Sequence, residues 1–100
     1  MAFDYEATLI GYKNGQDAIG NTIREKIETD VFCEKRSIRQ SEFYAAAQSG
    51  LKPELTLVIR PYEYDNQKEI IFENVSYRII RTFEIDSEEL ELICEVQSGG

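Results

Sequence analysis

The chain has 100 residues, 42% hydrophobic and 30% charged, with 19 acidic against 11 basic side chains and a net charge of −8. That length predicts one domain around one core, and the acidity argues against a sequence-independent nucleic-acid surface or an anionic membrane face, both of which need an excess of Lys and Arg. No apolar run approaches the ~20 residues that cross a bilayer, and the opening MAFDYE lacks a secretory signal's basic and apolar regions, so the expectation is a chain folded in a cytoplasm.

Residues 5–12, YEATLIGY, read as a first strand rich in aromatic and β-branched residues, with Gly11 marking a bend or bulge. Residues 13–21, KNGQDAIGN, contain Asn14-Gly15 and Gly20-Asn21 and read as a mobile loop or a wide hairpin. Their paired glycines lack the Lys-Ser/Thr of a phosphate loop. Residues 22–34 alternate, which places Ile23, Ile27, Val31 and Cys33 on a buried face and Arg24, Lys26, Glu28, Asp30 and Glu34 on a wet one, with Glu25 and Phe32 as exceptions.

Residues 37–53, SIRQSEFYAAAQSGLKP, interrupt this period of two. Ser37 and Gln40 have the spacing of a capping box, Glu42 suits the positive end of a helix, and Ala45, Ala46 and Ala47 are strong helix formers. Phe43, Ala46, Ala47 and Leu51 form a narrow apolar face, leaving Arg39, Glu42 and Gln48 outside. Gly50 and Pro53 stop the helix. The flanking strands alternate alike and could pair through a short turn, so the insertion is longer than connectivity demands; the expectation is a functional arm dispensable for closing the fold.

Residues 54–61 resume a strand with Leu55, Leu57 and Ile59 inward, Thr56 and Arg60 outward, Val58 covering the second face and Pro61 marking the end. Asp65-Asn66 turns the chain into a short strand over 68–73, and Asn74-Val75-Ser76 connects tightly to 76–85, where Tyr77, Ile79, Arg81 and Phe83 share a face. Asp86-Ser87 leads into 88–96, with Leu90, Leu92, Cys94 and Val96 buried and Glu89, Glu91 and Glu95 in solvent. Residues 97–100 read as a frayed tail. The fold class is mainly β: a small antiparallel barrel or sandwich of about six strands with one short α-helix inserted between strands, in one domain over 1–100.

Chemistry-bearing constellations are sparse. Cys33 and Cys94 read as buried reduced thiols, and no histidine accompanies them in a zinc site or a nucleophilic triad. Glu84, Asp86, Glu88, Glu89, Glu91 and Glu95 read as a solvated edge, since the Asp86 turn lacks calcium-loop spacing. Lys and Arg gather mid-chain while the last strands are acidic; this division suits head-to-tail packing of identical subunits, and equally plain cross-strand compensation.

At Phe32-Cys33-Glu34-Lys35, at SEFYAAAQSGLKPE, at LTLVIRPYEYDNQKEI and at ENVSYRIIRTFEIDSEELELICE, the chain resembles the head closure or head-tail joining proteins of long-tailed bacteriophages and prophages. It departs from them in carrying Phe32 where many have a tryptophan before the insertion. The resemblance implies a non-enzymatic virion protein without cofactor or metal, made in the bacterial cytoplasm and placed at the head-tail junction. Its expected partners are itself, as a ring oligomer, the portal or adaptor above and tail proteins below, with packaged DNA passing nearby unread and no membrane. The candidate contact residues are Arg39, Glu42, Phe43, Tyr44, Gln48, Leu51 and Lys52. The alternative is a prophage-encoded protein-binding module or regulator that uses the helix as its recognition face.

Overall fold

Strand alternation builds the interior. Leu55, Leu57 and Ile59 stand opposite Cys94, Leu92 and Leu90, all six buried, and Ala7, Leu9, Val31, Cys33, Ile70, Phe72, Tyr77 and Ile79 complete the same cluster. The computed structural model describes residues 3–97, in the order β1 (Tyr5–Gln16), β2 (Thr22–Arg36), α1 (Gln40–Gln48), β3 (Leu55–Ile59), a 3-10 turn (Pro61–Glu63), β4 (Glu69–Phe72), β5 (Val75–Glu84) and β6 (Leu90–Val96). The six strands close an antiparallel barrel in the order β1-β2-β3-β6-β5-β4, and β4 pairs back onto β1. No described helix is long and apolar enough to cross a membrane.

Local chemistry sets the corners. The β4–β5 turn is Glu73-Asn74, both in the left-handed region at φ 51 and 65, between the paired residues Phe72 and Val75; two positive φ values make the type I′ turn that matches strand twist. Pro61 begins the 3-10 turn just after β3. Asp86 Oδ1 accepts from the backbone N–H groups of Glu88 and Glu89 at 2.8 and 2.9 Å, which turns β5 into β6.

Three elements depart from the sequence reading. Residues 13–21 take the hairpin alternative, and the departure is in how far its strands reach: β1 and β2 stay paired from Tyr5↔Cys33 to Gln16↔Thr22, and only the tip over 17–21 turns. Asp17 holds that tip, its Oδ1 accepting from the N–H groups of Ile19 at 3.0 Å and Asn21 at 2.9 Å. Because β4 pairs β1 only along Ala7 to Ile10, and β3 pairs β2 only along Glu34 to Arg36, the ribbon formed by 11–16 and 22–27 projects beyond the barrel. Ile23 and Ile27 lie on this ribbon and are exposed, whereas Val31 and Cys33 are in the core.

A register shift between Ile79 and Arg81 is the second departure. A bulged residue reverses the faces that follow it, so Tyr77 and Ile79 point inward while Arg81 and Phe83 fall opposite Ile93 and Glu91 on the outside. Third, Gln97 is tied down, its N–H donating to the Ser76 carbonyl at 3.0 Å and its side-chain amide to Glu69 at 3.0 Å; the rest of the expected tail lies outside the described residues.

Cys33 and Cys94 are fully buried free thiols. Burial, with a smaller contribution from Glu73, pushes the Cys33 thiol from 9.0 up to about 11, and burial followed by Cys33 itself pushes Cys94 up to about 12. A raised native value favours folding while the thiol stays protonated, a contribution complete below 9 and lost as pH climbs through 11 to 12. Native protein should therefore resist alkylation at pH 8 and react fully only when unfolded, and its denaturation midpoint should fall across that alkaline window. Rapid labelling of either thiol in the native state would show that the barrel interior is open.

Candidate functional site

The helical segment is laid along the outer face of β6. Val58 pairs with Glu91 and Thr56 with Ile93; strand geometry turns all four away from the barrel interior, yet each is buried. What covers them is fastened by charge. Arg39 grips the Glu91 carboxylate with two hydrogen bonds, Nη1 to Oε1 and Nη2 to Oε2, both 2.8 Å, and Arg36 Nη1 reaches Glu91 Oε2 at 3.3 Å while its Nε donates to Glu34 at 2.6 Å. Farther along, Glu42 of α1 pairs with Arg81 at 3.1 Å. At the exit, the Lys52 backbone N–H donates to Glu95 Oε2 at 2.8 Å, and Arg78 also bonds that carboxylate.

Glu84, Asp86 and Glu88 are exposed, as the solvated-edge reading expects, but this strap corrects that reading for Glu89, Glu91 and Glu95. Glu91 is 2% exposed, and Glu89 and Glu95 are mostly covered, because each carboxylate meets an arginine or a backbone amide rather than water. Among the described residues no group of three or more His, Cys, Asp or Glu side chains is placed to hold a metal ion, and the counter-charge on this face comes from Arg36, Arg39 and Arg78.

The helix differs from its expected form at its start and in its orientation. It begins at Gln40 with Arg39 as N-cap and no side-chain cap, so Ser37 and Gln40 form no capping box; Arg39 is held by Glu91 instead. Its end is as read: Leu51 N–H bonds the Ala46 carbonyl and Gly50 N–H the Ala47 carbonyl, both at 3.0 Å, with Gly50 at φ 78, a Schellman termination. No residue of α1 is fully buried, and the side turned toward the barrel carries Glu42 and Ala46 in place of Phe43 and Ala47.

The candidate contact residues thus divide. Arg39, Glu42 and Lys52 fasten the strap, Leu51 is half-buried, and Phe43, Tyr44 and Gln48 face outward. Phe43 and Tyr44 meet edge to face at 6.1 Å between centroids.

The projecting ribbon was not among those candidates, although it reaches farthest from the barrel. On its inner face Gly11 and Gly15 stand opposite Ile27 and Ile23, so each isoleucine faces a partner without a side chain. Between those two pairs, on the same face, Lys13 stands opposite Glu25 and pairs with it at 3.6 Å; the outer face carries the Arg24 guanidinium 3.9 Å above the Tyr12 ring. A groove of about 600 Å³ runs under the ribbon's root between Ile10, Tyr12, Ile27 and Gln67. The sequence held one signal for this element: glycine exactly four residues apart in one strand, isoleucine four apart in the next, with turn residues midway.

Compared with known proteins, the chain matches no family model and no curated sequence.

Two predictions follow from the strap's electrostatics. Removing both arginines by Arg36→Ala and Arg39→Ala leaves a buried, uncompensated carboxylate and should cost about 3–5 kcal/mol by urea denaturation, whereas either single change, with the other guanidinium still in place and Arg39 partly in water, should cost ~1 kcal/mol; equal losses from single and double variants would refute the shared grip. Hydrogen bonding from the Lys52 N–H, then from Arg78, holds the Glu95 carboxyl below its ordinary value. A lowered native value stabilises above the ordinary carboxylate range and is lost as pH falls through it, so acidification should expose residues 49–53 to protease, and Glu95→Gln should expose them already at neutral pH.

Proposed function

We propose that this protein is a structural subunit of the head-tail connector of a long-tailed bacteriophage or prophage, assembling as a ring below the portal that joins capsid to tail and helps retain packaged DNA. The observation that carries the reading is a closed barrel from which a paired ribbon projects: a rigid body with a reaching element has the parts that an assembly subunit needs. The E-F-Y-x-A helix ending in G-L-K-P-E adds the resemblance, and a net charge of −8 suits a wall past which DNA must slide without adhering. In this reading the protein acts by occupying a place and performs no catalysis.

One observation favours the second reading, a prophage-encoded binding module: Phe43 and Tyr44 are 47% and 59% exposed on the outward side of α1, and exposed aromatics are common anchors of protein interfaces. Deleting the gene from the phage or prophage that encodes it separates the two. The connector reading expects filled heads that leak DNA or fail to attach tails, rescued by wild-type protein; normal yields of tailed, DNA-filled particles would refute it. For the binding module, a Phe43→Ala/Tyr44→Ala variant should lose its host partner while leaving particle assembly intact.

A further inference from the structure

We infer that the projecting ribbon, residues 11–27, docks onto a second copy of this chain, its tip residue Ile19 entering the aromatic cleft lined by Phe3, Phe32 and Tyr62 of the neighbour. The three most exposed large apolar side chains among the described residues are Ile19 at 82%, Tyr62 at 77% and Phe32 at 60%. One crowns the ribbon and the other two flank a single cleft of about 360 Å³, which is room for a branched aliphatic side chain. Phe32 lies on the outer face of β2, between the inward-facing Val31 and Cys33, so the cleft opens on the barrel wall. Its rim is held by Arg60, which lies 4.3 Å from the Phe3 ring and pairs with Glu88 at 2.7 Å.

One molecule cannot satisfy itself this way. Phe32 pairs with Glu6, and the ribbon runs on to Gln16, so tip and cleft are separated along the strand by ~33 Å at the usual rise. A paired ribbon does not fold back over that distance, and the two halves of the contact must come from different copies. Because tip and cleft are different surfaces, the contact is heterologous, the kind that propagates from subunit to subunit and closes a ring when the rotation allows.

Charge distribution points to the same occupant. Along the ribbon Lys13, Arg24 and Lys26 are set against Asp17 and Glu25, with Glu28 at the root pairing Lys26. Residues 11–27 thus carry a net charge of +1, three basic against two acidic side chains, and the remainder of the chain carries −9. Two copies that meet barrel to barrel bring like charges together; a ribbon laid against a barrel does not. Behind the tip, Ile23 and Ile27 face Gly15 and Gly11, with the Lys13–Glu25 ion pair between them on the same face, so this face offers the neighbour's wall two apolar steps separated by a self-compensated charge pair.

The inference rests on the connector reading for ring closure, not for the contact itself. Cross-linking tests the contact. With Cys33 and Cys94 buried, engineered surface thiols react alone. An Ile19→Cys/Tyr62→Cys double variant treated with a short bis-maleimide should give a ladder of covalent oligomers, and a mixture of the two single variants should give dimers, while each single variant alone stays monomeric. Phe32→Ala in the double variant should reduce the ladder about tenfold, the scale of losing an aromatic anchor. Dimers from Ile19→Cys alone would place tip against tip and overturn the assignment to the cleft. A folded double variant that yields no ladder would overturn the contact. A ladder from a protein whose gene is dispensable for tailed particles would keep the contact and remove the connector reading, so the two failures are distinguishable.

Discussion

Closure of the barrel is the constraint on which the rest of the molecule depends. A six-stranded sheet can abolish its edges only if first and last strands meet, and here β1 meets β4 along just four pairs, Ala7↔Phe72 to Ile10↔Glu69. The two longest strands overshoot that closure. Their surplus has no third strand to pair with and no core to cover, and a two-stranded ribbon alone is marginal in water. It is held by its own cross-strand ladder, by Asp17 at the tip and by ion pairs such as Lys13–Glu25.

The second consequence of closure lies on the barrel's outside. Strands β3 and β6 carry apolar side chains on both faces, Val58 and Ile93 outward as well as Leu57 and Leu92 inward, so something must cover the outer pair. The segment between β2 and β3 does this. Its polarity is unusual for a covering layer, because the grip is made by Arg36 and Arg39 on Glu91 rather than by an apolar helix face. A buried carboxylate with two guanidiniums fixes where the strap lies more than it adds stability, and that leaves the aromatic residues of α1 free to face outward.

Much of this fold is legible in the sequence where local pattern decides. The alternation of Leu55, Leu57 and Ile59, the Gly50 helix stop and the Pro61 strand end depend on neighbours within a few residues. What is not legible depends on distant partners. Glu91 reads as wet because alternation says only that it points away from the core; that a strap from residues 36–52 lies over it is tertiary information, hinted at only by Ile93 sharing its face. The β5 bulge moves Phe83 outward without any sequence mark, since Ile79 and Ile80 are both apolar. Ile23 and Ile27 read as core because a free ribbon has the same period of two as a barrel strand, and the period carries no information about where pairing with β4 stops.

In the proposed reading the overshoot of β1 and β2 serves assembly, while closure needs only their roots. Replacing residues 11–27 with a two-residue Asn-Gly turn between Ile10 and Glu28 tests it most directly, measured as thermal unfolding of the variant and its incorporation into portal-bearing capsids. The account predicts a barrel that melts within a few degrees of wild type yet fails to assemble. A shortened chain that still supports DNA-filled, tailed particles would contradict it.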